Sequence, residues 1–487
     1  MYRRKLNQVC IFEDPAMFGG IELNPENEWI KLSKLIPWWV FEKKYAEQFA
    51  PKMGQPACSV RMAIGSLIIK EKYRLSDEAT VEQIAMNPYF QFFIGLTEYH
   101  QTAPFNATMM TRFRQRLTTK MLEDVNDVII GRKTVEDLLA EDTKEDDDHN
   151  DDDPPTQSAE APNEGTLILD ATCAPQAIRF PTDPSLLNEA RLNTEDIIDT
   201  FHNAGLTDGK KPRTYREMAK NQYNSFSKTR KKSKKRINKV KKQQLQYLRR
   251  NLGYIDQIIK RHPKEWEEVL TKWQRERLTV IRTLYSQQLE MYESHTNRVD
   301  DRIVSLSQWW VRPIVRGKQS APVEFGAKVE MSDIGGFLRI ETLKWDAFNE
   351  STTLQDSVEA YRKSYGHYPQ RVLADTIFRT RGNIRYCKEH GIHLNGPKLG
   401  KPSQDPQVRK EELRLEWEES GERGDIERCF GVCKRCYSLG RVTAKLKHTS
   451  EIMIHLSVLA LNLQKRLRLL LYLFYDFFTL FGRLRMA

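Results

Sequence analysis

The first 140 residues carry apolar side chains at helical spacing and lack strand-like alternation. The apolar positions of two such segments are Met62, Leu67 and Ile68, followed by Val81, Ile84 and Ala85. Between them, Ser76 or Asp77 is suited to cap the second helix, because a short polar side chain can accept a hydrogen bond from the first turn. The pattern predicts an all-helical N-terminal domain over residues 1–140.

A third helical segment, residues 106–117, places Met110, Phe113 and Leu117 on one stripe. Three cations lie off that stripe, namely Arg112, Arg114 and Arg116. A helix of this kind packs through its apolar face and leaves its cations free. Arginines on a helix are more often only a solvated face, but in a chain as basic as this one we predict that they contact DNA.

Strand character appears only after residue 165 and alternates with helix character. The strand-like runs are 167–170, 312–316, 325–329, 337–343 and 372–375, and a helical stripe precedes the last of them. A helix followed by a buried strand implies a parallel crossover. The pattern therefore predicts a mixed α+β domain over residues 166–467, interrupted by a helical insertion at 185–308.

The insertion contains a strongly basic block, with ten Lys or Arg among residues 228–242 and no acid. The side chains predicted to bind DNA here are Lys231, Lys232, Lys234, Lys235 and Arg236. A solvated helix is the simpler interpretation, but ten like charges repel one another without counter-ions. We favour phosphate contacts, which would make binding strongly salt-dependent.

Composition agrees with a nucleic-acid partner. The 487 residues require two or more domains, and the formal net charge is +11 with a pI near 9.1. Nine acids fall between residues 141 and 153, followed by a stretch rich in Pro, Ser and Ala, so residues 141–165 are predicted to be a disordered linker. A chain that is otherwise still more basic favours a polyanion as its partner.

Cysteine usage and the chain ends indicate a protein that stays inside the cell. Seven cysteines in 487 residues suit a reducing cytosol. Cys429, Cys433 and Cys436 have the ligand chemistry for a zinc site with Cys387 or His390, but buried or half-buried thiols on a helix are the preferred interpretation. No secretory leader opens the chain. The apolar run at 469–481 is interrupted by Asp476 and is shorter than the roughly 20 residues of a membrane span. Residues 468–487 are therefore predicted to be a docking helix, with self-association as the alternative.

Three acidic residues lie at positions suited to a catalytic site. Asp170 and Asp375 each close a short apolar run, and Glu427 lies between Arg423 and Lys434. The carboxyl ends of neighbouring parallel strands meet at one edge of a sheet, where ligands bind. At 100° per residue, Arg423, Glu427 and Lys434 fall within about 60° of one helix face.

Converging carboxylates repel one another unless cations hold them ionised. Two Mg²⁺ ions would do so and would assist an in-line displacement at phosphorus, with Asp170 and Asp375 as principal ligands and Glu427 completing the second site. Lys434 would reach a phosphate, and Arg423 would orient Glu427 or bind the same backbone. Asp183 is the second candidate for the first ligand. Periodicity alone leaves open a simple surface network of Arg423, Glu427 and Lys434.

The spacing Arg423-x3-Glu427-x6-Lys434 is similar to the Tyr-x2-Arg-x3-Glu-x6-Lys signature of bacterial insertion-sequence transposases of the DDE class, in the superfamily of insertion sequences four and five. Residues 374–376 with Asn383 resemble the second-aspartate region of that family, and residues 169–172 resemble the first. Residues 75–78, 87–95 and 112–114 resemble its helical end-binding region. Roughly 350 residues are involved in the resemblance.

The resemblance implies an RNase H-like catalytic core that cleaves DNA at terminal inverted repeats and joins the 3′-hydroxyl ends to target DNA. It also implies two Mg²⁺ ions, for which Mn²⁺ is expected to substitute, double-stranded DNA as partner and a homodimer in the synaptic complex. No membrane association is expected, and the location would be the bacterial cytoplasm, with the nucleoid. Alternatives are a non-catalytic DNA-binding protein derived from a transposase, or a metal-dependent nuclease.

Two features depart from the family pattern. Ser420 stands where the signature has Tyr. Only 52 residues separate Asp375 from Glu427, and the insertion follows the first strand instead of lying between the second aspartate and the glutamate. The role of the insertion is therefore not implied by the resemblance.

Overall fold

The structure is a computed structural model that describes residues 15, 18–49, 56–146, 162–315, 323–397, 400 and 405–484, with backbone alone for 141–146 and 473–484. The chain divides into two compact units. The first comprises Met1–Pro175, Lys328–Lys344 and Phe348–Ala487, and the second comprises Gln176–Ala327 and Trp345–Ala347.

The described residues form seventeen α-helices and six strands. The helices are α1 Glu28–Leu35, α2 Glu42–Ala46, α3 Val60–Tyr73, α4 Asp77–Met86, α5 Pro88–Phe93, α6 Thr108–Arg116, α7 Thr119–Ile130, α8 Val135–Asp146, α9 Asp183–Asn203, α10 Arg216–Ser227, α11 Lys234–Arg261, α12 Glu265–Val269, α13 Lys272–Glu293, α14 Leu354–Tyr365, α15 Arg381–Glu389, α16 Pro406–Cys436 and α17 Lys447–Leu484. The strands are β1 Thr166–Pro175, β2 Arg312–Val315, β3 Val323–Ile334, β4 Phe337–Lys344, β5 Arg371–Ala374 and β6 His393–Leu394. The mixed α+β class is confirmed.

The sheet has six strands, in the order β2-β3-β1-β5-β6 with β4 also paired with β3, so that β4, β3, β1, β5 and β6 are neighbours in turn. β3 and β4 form an antiparallel hairpin, whereas β1, β5 and β6 run parallel. In the β1–β5 pair, Leu169 stands opposite Ala374. Leu167 and Leu169 point into a core shared with Val372 and with Val358 of α14. Since side chains alternate along a strand, residues 168 and 170 of β1 point to the other face, where α16 packs.

The N-terminal helices share a core with the end of the chain. Ser76 caps α4 by accepting a hydrogen bond from the Ala79 N–H, as predicted. The buried cluster of α3 and α7 also includes apolar side chains of α17, namely Ile452, Leu456, Leu459, Leu463 and Leu467. Docking therefore uses residues 452–467. Leu469, Leu471 and Tyr472, within the predicted docking segment 468–487, are exposed by 40%, 43% and 67%.

Buried polar groups tie these helices to the sheet. Asn462 of α17 donates from Nδ2 to the Leu338 carbonyl at 2.6 Å, and its Oδ1 accepts from the Leu338 N–H at 3.0 Å. Asn126 of α7 donates to the same carbonyl. Arg132 donates to Ser364 and Glu341. Leaving such buried groups without partners is costly, so the pairing specifies how the helices pack on β4.

The second unit is a helical bundle. α9, α11 and α13 bury a common core that includes Ile198, Leu248 and Ile281. β2 pairs antiparallel with the first residues of β3. The helical character predicted for the insertion is present, although the unit extends beyond the predicted 185–308 on both sides. The predicted linker at 141–165 lies partly on α8, and its residues 147–161 fall outside the described part of the chain. Within the described residues, no helix is long and apolar enough to cross a membrane.

Glu71 of α3 makes the stability of the first unit depend on pH. The side chain is fully buried, and no described residue donates a hydrogen bond of normal geometry to either carboxylate oxygen. Burial raises the pKa of Glu71 to about 7, from 4.5, and Lys70 offsets this only in part. Because the folded pKa is the higher one, folding favours the protonated form, and stability is lost as pH rises from about 4.5 through 7.

We therefore expect Glu71→Gln to remove about 2–3 kcal/mol of the decline in unfolding free energy between pH 5 and pH 8. Urea denaturation at several pH values measures this. The variant and the parent should differ most at pH 8, where the parent must keep a buried charge. Parallel pH profiles for the two proteins would contradict the prediction.

Candidate active site

Asp170 and Asp375 follow directly on two residues that are paired across parallel strands, Leu169 of β1 and Ala374 of β5. Asp170 still belongs to β1, which continues to Pro175, whereas Asp375 follows the last residue of β5 and caps the 3-10 turn Thr376–Phe378. The Asp375 carboxylate accepts from the Thr376 N–H at 2.6 Å. The two acids thus follow paired residues of neighbouring parallel strands. The strand end predicted at Asp170 is wrong, because β1 continues for five residues beyond it.

α16 supplies the third acid. Its buried side chains include Ile426, Phe430 and Cys433, whose spacing directs one stripe of the helix onto the sheet. Arg423 and Glu427 lie one turn apart beside that stripe. Arg423 Nη1 is 3.3 Å from Glu427 Oε1 and 4.0 Å from Asp170 Oδ2. The Arg423 guanidinium therefore lies between Glu427 of α16 and Asp170 of β1.

Electrostatics distinguish Asp170 from an ordinary surface acid. Burial raises the pKa of Asp170 to about 6. The Ala171 N–H and Arg423 act in the opposite direction, while the charges of Glu350 and Glu427 raise the pKa further. Such a site holds its negative charge poorly without an added cation, which is typical of functional carboxylates.

Glu350 is an acid of this region that the sequence analysis missed. It opens a 3-10 turn, Glu350–Thr352, and its carboxylate lies 2.7 Å from Lys328 Nζ of β3. Lys328 also donates to the Phe348 carbonyl. The residue follows no apolar run and belongs to no recognisable spacing, so the sequence carries no signal for it. Only the fold brings residue 350 near residue 170.

The structure brings Asp170, Arg423 and Glu427 together more closely than it does Asp375. Within the described part of the chain, Asp375 makes its side-chain hydrogen bonds only with Thr376. Over the same residues, no three His, Cys, Asp or Glu side chains are close enough together to hold a metal ion.

Lys434 is half-buried in the last turn of α16, and Ser420 is exposed.

Asp183, the second candidate for the first ligand, has structural partners in the second unit. It lies in the first turn of α9, 2.9 Å from Lys241 Nζ and 2.7 Å from Arg302 Nη2. Burial would raise the pKa of Asp183, but hydrogen bonding to Lys241 and the charge of Arg302 outweigh it and hold the pKa below its usual range. This carboxylate is already neutralised by the protein.

The cysteines of α16 have separate surroundings. Cys433 is buried and donates to the Ser457 carbonyl, Cys429 is half-buried and donates to Asp333, and Cys436 is exposed. Cys387 is buried on α15. Cys387, Cys429 and Cys433 agree with the preferred interpretation of buried or half-buried thiols on helices, whereas Cys436 does not.

The three arginines predicted to bind DNA on α6 differ in exposure. Arg112 is exposed. Arg116 is half-buried, with its guanidinium 4.2 Å from the centre of the Phe49 ring. Arg114 corrects the prediction: it is buried and donates to both oxygens of Asp77, at 2.9 and 2.6 Å. A guanidinium used in a bidentate pair inside the protein is not available to a phosphate.

Arg112 and Arg114 are therefore expected to respond oppositely to substitution. Arg114→Met removes two charged hydrogen bonds to Asp77, leaves that carboxylate with Lys70 at 3.5 Å as its partner, and should lower the unfolding free energy by about 2 kcal/mol. Arg112→Gln should change stability by less than about 0.5 kcal/mol and weaken DNA binding several-fold at 0.1 M salt. Urea denaturation and a DNA-binding titration on both variants measure this. Equal loss of DNA affinity in a folded Arg114→Met protein would restore the original prediction.

The basic block of the second unit lies around the start of α11. Ser233 caps the helix by accepting from the Arg236 N–H. The side chains on either side are exposed, namely Lys231, Lys232, Lys234, Lys235 and Arg236. Lys232 lies over the Phe226 ring, and Arg236 donates to the Ser225 carbonyl. Cations at a helix N-terminus oppose the helix dipole, so this arrangement is unfavourable unless an anion binds there.

Two segments of the first unit match known protein families. Residues 372–464 match the family model described as "Transposase DDE domain", and residues 21–116 match one described as "Transposase domain". The chain is 32% identical over 168 residues to "Uncharacterized protein ORF8 in nfe locus" of Rhizobium meliloti, a match that covers 34% of this chain and 71% of that protein. No solved structure matches the chain significantly.

Proposed function

The chain belongs to the DDE transposase family, and on this basis we propose that it binds the terminal inverted repeats of an insertion sequence, cleaves the DNA there and joins the 3′-hydroxyl ends to target DNA. The observation that carries the proposal is the position of Asp170 and Asp375 after paired residues of two parallel strands. Arg423 and Glu427 of the packed helix α16 add the third acid and its cation.

The strand order β4-β3-β1-β5-β6 supports an RNase H-like core. In such an arrangement an antiparallel hairpin lies on one side of the central strand and parallel strands lie on the other. Asp170 on β1 is then central, and Asp375 on β5 is its neighbour. Open sheets with parallel strands use the edge where these strands end to bind ligands.

Asp170, Asp375 and Glu427 are the residues proposed to hold two Mg²⁺ ions, with Mn²⁺ as a substitute. Their carboxylate oxygens suit these hard cations. Because no three such side chains among the described residues lie close enough together to hold a metal ion, the proposal requires Asp375 to move toward Asp170 and Glu427 when the ions bind. When bound, the ions supply activation of the attacking oxygen and stabilisation of the leaving one. Arg423 keeps the Glu427 side chain against α16 and beside Asp170. Lys434 lies two turns beyond Glu427 on the same helix face. It is proposed to contact a phosphate and so align the DNA strand.

DNA binding is proposed for Arg112 and for the basic block around the start of α11, with a smaller share for Arg116. The exposed lysines of that block carry like charges at an unfavourable place on a helix, which phosphates would neutralise. Because two element ends must be held at once, a homodimer is the proposed assembly. The bacterial cytoplasm, with the nucleoid, is the proposed location.

The test is Mg²⁺-dependent cleavage and joining of labelled DNA that carries the element's own ends, taken from the sequence that flanks the gene. Cleavage followed by strand transfer is expected. Cleavage without joining would indicate a metal-dependent nuclease. Binding without cleavage would indicate a non-catalytic DNA-binding derivative, and the carboxylates would then be a structural remnant.

A further inference from the structure

The turn that carries Asp375 depends on side chains from elsewhere in the chain. β5 ends at Ala374, and Asp375 is exposed at the start of the turn Thr376–Phe378. Phe378, at the other end of that turn, is fully buried. The orientation of an exposed carboxylate on a short turn depends on the backbone on both sides of it, so contacts that fix that backbone also fix the carboxylate.

Asn395 fixes the backbone on the N-terminal side of Asp375. β6 pairs with β5 over only two residues, Arg371 with His393 and Val372 with Leu394. Asn395 comes next, with its own N–H donating to the Val372 carbonyl at 3.1 Å. Its Oδ1 accepts from the buried Ala374 N–H at 2.8 Å. The side chain thus extends the ladder by one bond, up to the residue before Asp375.

The backbone around Asn395 is itself fixed. Gly396 has φ of +100°, a conformation that turns the chain away from β5 and favours glycine. Arg379, just after the Asp375 turn, donates to the carbonyls of Leu394, Asn395 and Pro397. A Cβ on Gly396 would lie 3.0 Å from Arg379 Cδ. The loop that carries Asn395 therefore packs closely against the residue that follows the turn.

Asn383 fixes the backbone on the C-terminal side of Asp375. It is buried in the first turn of α15, with 3% exposure. Its Nδ2 donates to the Phe378 carbonyl at 2.8 Å and to the Ser351 carbonyl at 2.7 Å. Its Oδ1 accepts from Gln355. Ser351 belongs to the turn that begins with Glu350, so this one amide connects the Asp375 turn to the Glu350 turn.

We propose that Asn395 and Asn383 are positioning residues that orient the Asp375 carboxylate, the first as an acceptor for the Ala374 N–H and the second as a donor to Phe378 and Ser351. This rests on the proposed function, since Asp375 must act in the reaction for its orientation to affect rate. Neither asparagine touches the reacting atoms. Partners of this kind change metal affinity or activity by about 10- to 100-fold when they are removed.

The opposite hydrogen-bonding roles make Asn→Asp a discriminating substitution. Asn395→Asp keeps an oxygen for the Ala374 N–H, so it should stay close to the parent, whereas Asn395→Leu should not. Asn383→Asp loses both donated bonds and sets carboxylate oxygens against carbonyl oxygens, so it should behave like Asn383→Leu. Asn203→Asp, at the exposed end of α9, controls for the charge change.

Two measurements are needed. Hydrogen exchange of residues 371–380 in the free protein, without metal or DNA, should be about 10-fold faster in Asn383→Asp and Asn395→Leu and unchanged in Asn395→Asp. In single-turnover cleavage, the same two variants should be about 10- to 100-fold slower at saturating DNA and require more Mg²⁺ for half-maximal rate. DNA affinity should be unchanged.

The exchange measurement stands even if the parent does not cleave DNA, so failure of the proposed function and failure of this inference are distinguishable. The assigned hydrogen-bonding roles would be overturned if hydrogen exchange in Asn383→Asp occurred at the parental rate. They would also be overturned if Asn395→Asp and Asn395→Leu accelerated exchange equally. Altered exchange with an unchanged cleavage rate and Mg²⁺ requirement would show that the asparagines stabilise the turn without positioning Asp375 for the reaction.

Discussion

Asp170→Asn abolishes cleavage and strand transfer while DNA binding remains: this is the largest effect we expect of any single substitution. An amide oxygen is a weaker ligand than a carboxylate for a hard cation. Stabilisation of transition-state charge by a bound metal is worth several kcal/mol, which corresponds to a loss of about 10³-fold or more in rate. Single-turnover cleavage of end-labelled DNA, together with a binding titration, measures this.

Loss of activity in this variant is separable from loss of folding. Burial raises the pKa of Asp170 to about 6, so above that pH the folded protein carries the full free-energy cost of keeping this buried carboxylate ionised. An uncharged asparagine removes this cost. The unfolding free energy of Asp170→Asn at pH 8 should therefore be at least as high as that of the parent. A variant that is inactive because it is less stable would not satisfy this expectation.

Asp183→Asn is the matched control. It makes the same chemical change at the other candidate for the first ligand, but there the carboxylate pairs with Lys241 and Arg302. We expect this variant to be less stable than the parent and still to cleave DNA when folded. The reverse outcome, with cleavage lost in Asp183→Asn and kept in Asp170→Asn, would transfer the role of first ligand to Asp183.

Replacing Lys231, Lys232, Lys234 and Lys235 together by Gln is expected to weaken DNA binding by about 10²- to 10³-fold at 0.1 M salt. Each phosphate contact contributes about 0.9 to the slope of log affinity against log salt concentration, so the slope should flatten by about 2 to 4. Binding titrations at several salt concentrations give both quantities. The effect should be similar for duplexes of different sequence, because lysines that contact phosphates do not read bases.

Stability should move in the opposite direction from affinity. These lysines lie at or before the first turn of α11, where cations oppose the helix dipole, so their removal should raise the unfolding free energy by up to about 1 kcal/mol. A control with four other exposed lysines changed to Gln, at positions 260, 264, 272 and 363, loses the same total charge. If both quadruple variants lose affinity equally, general charge and not the block itself attracts DNA.

Much of the fold and part of the site are readable from residue order. The stripe of Met110 and Phe113 predicts which face of α6 is buried, and Ser76 predicts where α4 begins. The apolar runs before Asp170 and Asp375 predict two strands, and those strands are neighbours, although only the run before Asp375 marks a strand end. Local spacing suffices for these features because helix and strand periods and capping are set by residues only a few positions apart.

The partners of polar side chains were decided by the tertiary structure. Arg114 resembles Arg112 in sequence, yet Arg114 is buried because Asp77, 37 residues earlier, lies against it. Glu350 approaches Asp170, and Asn383 and Asn395 reach the Asp375 turn, through contacts that no spacing encodes. The sequence by itself determined the buried faces, the two strands that carry Asp170 and precede Asp375, and the basic blocks. Only the folded chain decided which charges are paired and which remain free, because such pairing depends on the approach of segments distant along the chain.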